Sequence, residues 1–187
     1  WVLQQKTFPL QNEGDSMKVV LIDRQSCYNL NRLADDKSSE MALQQLSRLF
    51  NELGADVALV EQIKDWVDKD QAVTGRNGHE DEFYLGLQPS FRTSDSGLVA
   101  ESEFRLWQLE EEKLDKVFPW LCIWPEDLGI NLNRLPETLL KAMLPNLNAE
   151  QESAVKARLS SSGYDSVDSF MQDSNLQEHE VKEEDWR

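Results

Sequence analysis

Positive charge is scarce in this chain: Lys and Arg number 19 against 35 Asp and Glu, giving a formal net charge of −16 and a pI near 4.5. Such a field repels phosphate, which argues against nucleic acid and anionic membrane as partners and favours cations or basic ones. Long apolar runs are missing too. Nothing approaches the roughly 20 residues that span a bilayer, and the opening WVLQQKTFPL is too short and too polar for a signal peptide, so the chain as it stands is expected to be soluble. Histidine occurs only twice, without the companions a zinc site needs, and His79 is expected to be exposed. No GxSxG, HExxH, P-loop or GxGxxG is present, and neither Cys27 nor Cys122 has a nearby histidine to activate it, so the residues point away from an enzyme.

What is present suits a core. Hydrophobic residues make up 40% of the 187, six of them Trp, enough for one domain or one with an appendage. Trp66, Trp107, Trp120 and Trp124 sit among apolar neighbours and read as core. The stretch KVVLIDRQSCYNLN, 18–31, predicts two short strands around a bend at Asp23 and Gln25. Ala42, Leu46, Leu49, Phe50 and Leu53 recur at helical spacing, with caps available from Asp35 to Ser39 and Gly54 closing the end. ADVALVEQIKDWVD predicts a second helix, capped by Asp56, with Val60, Ile63 and Val67 on one face.

SEFRLW and EEEKLDKVFPWL read as short helices, the second broken by Pro119, and LCIW as a strand. Pro136 suits the first turn of PETLLKAML, Asn148 with Gln151 forms a capping-box start for the next helix, and DSVDSFM is a last short one. LQEHEVKEEDWR is a charged tail expected to fray.

Between Lys69 and Gly97 the helical period is lost in a segment with four glycines and a proline, too long for a structureless loop unless something orders it. Asp65, Asp68, Asp70, Glu80, Asp81 and Glu82 surround it. Hard cations such as Ca²⁺ take oxygen ligands of this kind. The spacing is not that of an EF-hand, and a solvated acidic turn is the competing reading.

The stretch from INLNRLPETLL to VDSF looks like a helix-hairpin-helix unit of the kind in competence-type DNA receptors, with Asn146 and Asn148 where the usual hairpin glycines stand. With few lysines and a net charge of −16, it is better read as a packing module than as a DNA site. The two cysteines, in QSCYNL and WLCIWP, leave buried thiols and a disulfide equally open. The letters NLNRL occur twice, at 29–33 and 131–135, followed by unrelated residues.

Taken in order, IDxxxCYNLNRL, DWVDKDQ, GxEDEFY, SEF at 102–104 and CIWPEDLGINLNRLP resemble the minor pseudopilin K family of bacterial type II secretion systems, from about residue 8 to about residue 172. The resemblance implies a mainly α fold with a small β component: a helical insert on a partial pseudopilin sheet. The corresponding division is 1–33 for the β region, 34–124 for the insert with its acidic loop, 125–172 for the helix-hairpin-helix-like unit and 173–187 for the tail. It implies no catalysis, a periplasmic location with an inner-membrane anchor through an N-terminal helix not included here, and a tip complex with minor pseudopilins I and J that helps start or limit the pseudopilus within the secretion apparatus.

It also implies bound Ca²⁺, with Asp68, Asp70, Glu80 and Asp81 as the matching ligands and Asp65 and the Gln71 carbonyl as second choices. The N-terminal helix with its cleavage site and the closing β-strands of the family are not found. SDSG stands at 94–97 where an asparagine is usual, and SEF replaces SEL. In this reading the chain leaves its base near the first NLNRL and approaches it again near the second. A Cys27–Cys122 disulfide at that neck is therefore expected, while Leu30 and Leu132 face a core and Asn29, Asn31, Asn131 and Asn133 turn the chain toward a helix.

Overall fold

A computed structural model describes residues 2–9, 16–22, 26–35, 39–107, 111–124, 129–177, 179, 181 and 183–186. β1 (Val2–Pro9) and β2 (Ser16–Ile22) form an antiparallel hairpin with Phe8, Met17, Val20 and Leu21 exposed. The predicted strand from residue 18 is thus β2, but it pairs with β1, which the polar letters QQKT conceal. The expected bend at Asp23 and Gln25 lies outside the described residues. β3 (Tyr28–Asn29) runs parallel to β4 (Leu121–Cys122), so the LCIW strand shrinks to two residues.

The helices follow the apolar spacing. α1 (Ser39–Glu52) buries Ala42, Leu46, Leu49 and Phe50 and ends where Gly54 takes φ +61°, the left-handed conformation a glycine adopts without strain. α2 (Ala58–Val67) buries Val60, Ile63, Trp66 and Val67, and the Asp56 carboxylate accepts from the Ala58 N–H at its start. α3 (Asp81–Leu85) interrupts the loop, and the short helix at SEFRLW is a 3₁₀ turn over Glu101–Trp107. α4 (Glu111–Asp115) stops before a 3₁₀ turn, Phe118–Trp120, whose first turn holds Pro119. Pro136 sits one residue before α5 (Glu137–Met143), and α6 (Ala149–Ser160) starts with the Asn148/Gln151 capping box. Asn146 takes φ +73° in the turn between them, a position suited to asparagine or glycine. α7 (Val167–Met171) closes the helical series. One apolar cluster joins Leu46, Phe50, Val60, Ile63, Leu139, Leu140 and Phe170, with α5 packed along α1. The molecule is mainly helical with a small β component.

The repeated NLNRL has one structural meaning in both places. The first asparagine, Asn29 or Asn131, accepts from the N–H two residues on and opens a 3₁₀ turn, Leu30–Ala34 or Leu132–Arg134, while Leu30 and Leu132 are buried. The second asparagine clamps a distant backbone. Asn31 accepts from Leu98 N at 2.6 Å and donates to Leu98 O at 2.9 Å; Asn133 does the same to Tyr164 N and O, both at 2.8 Å. A glycine precedes each clamped residue, Gly97 and Gly163, and a Cβ on either would press on the clamping amide.

Cys27 and Cys122 form a disulfide, with Cα atoms 5.7 Å apart, beside the β3–β4 pair. Among the described residues of the tail, Asp185 and Trp186 are buried rather than frayed. Asp185 pairs with the buried Arg32, and Gln45 ties the two together, donating to Asp185 Oδ2 at 3.0 Å and accepting from Arg32 Nη1 at 3.1 Å. Trp186 bridges to Ile130 and lies edge-on to Phe170. The sequence hides this docking because EEDW reads as charge, while a tryptophan and one paired carboxylate carry it.

Candidate metal centre

The last turn of α2 sets two carboxylates three residues apart. Asp65 lies within the helix, and Asp68 leaves it in an extended conformation. The chain then turns back so that Glu80 stands immediately before α3, its side chain making no capping hydrogen bond. Asp65, Asp68 and Glu80 each present an oxygen within 4.8 Å of the others. They are 0%, 6% and 4% exposed, so three acids share one enclosed space. Asp65 accepts from Thr74 N at 3.0 Å and Lys64 Nζ lies 2.9 Å from Asp68 Oδ2, but Asp68 Oδ1 and both Glu80 oxygens have no hydrogen-bond partner.

Burial raises the pKa of Asp65 and of Asp68. Glu80 is pushed up to about 8, first by burial and then by the charges of Asp65, Asp68, Asp70 and Asp95. Enclosed carboxylates without partners are costly, and two remedies exist: a proton or a cation. The orphaned Glu80 and Asp68 oxygens, with an all-oxygen donor set, fit a hard cation such as Ca²⁺.

The other expected ligands are placed differently. Asp70 is exposed and its Oδ1 accepts from Ala72 N at 2.8 Å, although its charge still acts on Asp68 and Glu80. Asp81 faces Arg92 at 2.6 Å and the Thr93 N–H at 3.0 Å. Burial would raise its carboxyl, but the hydrogen bonds from Thr93 and the Arg92 charge outweigh this and hold it below the usual range. The Gln71 side chain donates to Asp95 Oδ1 at 3.2 Å.

Three features escape the sequence reading. Asp95, at φ +47°, adds a carboxylate close enough to raise both Asp68 and Glu80; only the departure SDSG marked its position. Glu103 of SEF accepts from Val99 and Ala100 N–H with one oxygen and from Trp66 Nε1 at 3.3 Å with the other, tying the 3₁₀ turn to the DWVD segment. His79 is half-buried rather than exposed, stacked on Phe83 at 3.6 Å, its pKa lowered by burial.

The α5–α6 pair offers little to phosphate. Lys141 and Lys156 are both engaged by Glu137 and Glu152, at 2.8–3.6 Å.

The chain is thus a disulfide-pinned helical body carrying a buried cluster of carboxylates. The family described as type II secretion system (T2SS), protein K matches residues 26–126, and the chain belongs to that family. It is 30% identical over 175 residues to the type II secretion system protein K of Pseudomonas aeruginosa, covering 91% of this chain and 52% of that protein. The Klebsiella pneumoniae protein of the same name is 31% identical over 193 residues, covering 95% and 58%. The chain thus spans about half the length of these relatives. Its fold matches a chain in the crystal structure of the GspK-GspI-GspJ complex from enterotoxigenic Escherichia coli, with a TM-score of 0.74 and 26% identity, covering 97% of this chain and 66% of that one.

Proposed function

We propose that this chain is the helical portion of a minor pseudopilin that assembles with the I and J minor pseudopilins of its system at the pseudopilus tip, where it helps start or limit filament growth for export of folded proteins. The observation that carries this reading is the fold match, over 97% of the chain, to a structure solved as a complex with two such partners. The role is assembly, not turnover. A helical body set on a pilin-like base blocks further subunits from adding above it, which suits a tip. The full-length protein is anchored in the inner membrane by an N-terminal helix and holds this body in the periplasm, a compartment in which the Cys27–Cys122 disulfide persists. The decisive experiment is co-purification of the full-length protein with I and J from the same system. A stable ternary complex is expected, and recovery of the protein free of both partners removes the proposal.

The same reading includes Ca²⁺ held by Asp65, Asp68 and Glu80, with Asp70 and Asp95 adding negative charge beside them. When bound, the ion offsets the buried charge. Asp65 and Asp68 hold it from α2 and Glu80 from the approach to α3, so both ends of the loop are joined through one point. Calcium added to protein stripped of metal is expected to raise the thermal midpoint by linkage. An unchanged midpoint at millimolar calcium rejects the site.

A further inference from the structure

The turn 74–78, TGRNG, lies across α2 on two carboxylates one helical turn apart. Glu61 Oε2 accepts from Asn77 N and Asn77 Nδ2, each at 2.8 Å, and from Arg76 N at 3.2 Å. Asp65 accepts from Thr74 N at 3.0 Å. Each carboxylate is covered by a glycine of the turn: a Cβ on Gly75 would overlap the Glu61 carboxylate, and one on Gly78 would overlap Asp65 Oδ2. Gly75 also takes φ +61°. The turn therefore reads the Glu61/Asp65 pair in register, glycine three residues from glycine over acid four residues from acid.

The two acids differ in what lies beyond them. Asp65 also faces Asp68 and Glu80, while Glu61 meets the turn alone and is absent from the cluster. Among the described residues, the side-chain hydrogen bonds of Glu61 all serve the segment that must carry Glu80 back to α2.

We infer that Glu61 is a positioning residue for the carboxylate centre: it fixes the 74–78 turn on α2 and so sets where Glu80 stands relative to Asp65 and Asp68. The inference rests on the calcium reading above. It needs an acceptor oxygen at Oε2, not a charge, because all three groups it meets are N–H donors. Glu61→Gln can place its amide oxygen there, and Glu61→Ala cannot.

Calcium alone is the probe, titrated calorimetrically into metal-free wild type, Glu61→Ala and Glu61→Gln, with the thermal midpoint of each recorded in chelator and in calcium. The expected result is affinity weaker by roughly tenfold in Glu61→Ala, near wild-type affinity in Glu61→Gln, and metal-free midpoints alike in all three. Wild-type affinity in Glu61→Ala overturns the inference while leaving the calcium reading intact. Equal weakening in both variants overturns it in favour of a long-range charge effect. A metal-free midpoint that drops as far as the calcium-bound one shows a role in general stability and overturns it too. No heat of binding in wild type removes the calcium reading and this inference together.

Discussion

A carboxylate with both oxygens enclosed and unpartnered, as in Glu80, makes the metal-free protein sensitive to pH. Its folded pKa of about 8 lies above the ordinary glutamate value of 4.5, so the native state binds the extra proton. Stability from this group is full below about 4.5 and is lost as pH rises through about 8. We expect the thermal midpoint in chelator to fall between pH 5 and pH 8, by ~5 °C. Glu80→Gln should flatten that slope and raise the midpoint at pH 8, while abolishing the response to calcium. Melting both proteins across this range with and without the ion checks the point, and a parallel slope in the variant assigns the pH dependence elsewhere. The sequence placed Glu80 and Asp68 beside one glycine-containing turn, and the structure brings them together. That Asp65 joins Asp68 and Glu80 while Asp81 turns to Arg92 was not legible, since which face of α2 an acid occupies, and whether an arginine eleven residues away claims it, are facts of packing.

At the scale of elements, the two NLNR turns act as paired fasteners. Asn133→Ala removes two hydrogen bonds to the Tyr164 backbone, and Asn31→Ala removes two to Leu98 and a third to Trp124 O at 2.7 Å. Losses of about 2 kcal/mol and about 3 kcal/mol are expected, read as shifts in the denaturant midpoint with unchanged slope. Equal, sub-kilocalorie effects would show that water replaces the amide in both places. The helices were readable because Leu46, Leu49 and Phe50, or Val60, Ile63 and Val67, repeat at the period of the helix they form. The β1–β2 hairpin was half hidden because VLQQKTFP alternates poorly, and the short helix at SEFRLW could not be typed as 3₁₀ or α because Glu101–Trp107 holds too few periods to tell them apart.

For the whole molecule, the ends of the helical body meet. Arg32 enters it, Asp185 leaves it, and the two charges are buried against each other with Gln45 between. Such a pair contributes little against a well-packed apolar substitute, but removing one member strands the other. Asp185→Ala is expected to cost ~4 kcal/mol, and Arg32→Met with Asp185→Leu to recover most of it. Thermal unfolding of Asp185→Ala, of Arg32→Met and Asp185→Leu singly, and of the double variant tests this, and strictly additive losses in the last three would show that the charges act independently. The acidic surplus of the sequence announced none of this, because a single paired carboxylate among 35 acidic residues has no distinguishing neighbours in the chain.

The Cys27–Cys122 bond has a consequence for how the chain carries a mechanical load. Tension applied between Ser26 and Trp186 crosses from Cys27 directly to Cys122 and continues through Ile130 and α5 to α7. The segment 28–121, with α1, α2 and the carboxylate centre, hangs from that line as a covalent loop closed by cysteines 95 residues apart, so the pull reaches it through side-chain contacts such as Arg32–Asp185 and not through its backbone. With the sulfurs reduced, the same force would run through every turn that orders Asp65, Asp68 and Glu80.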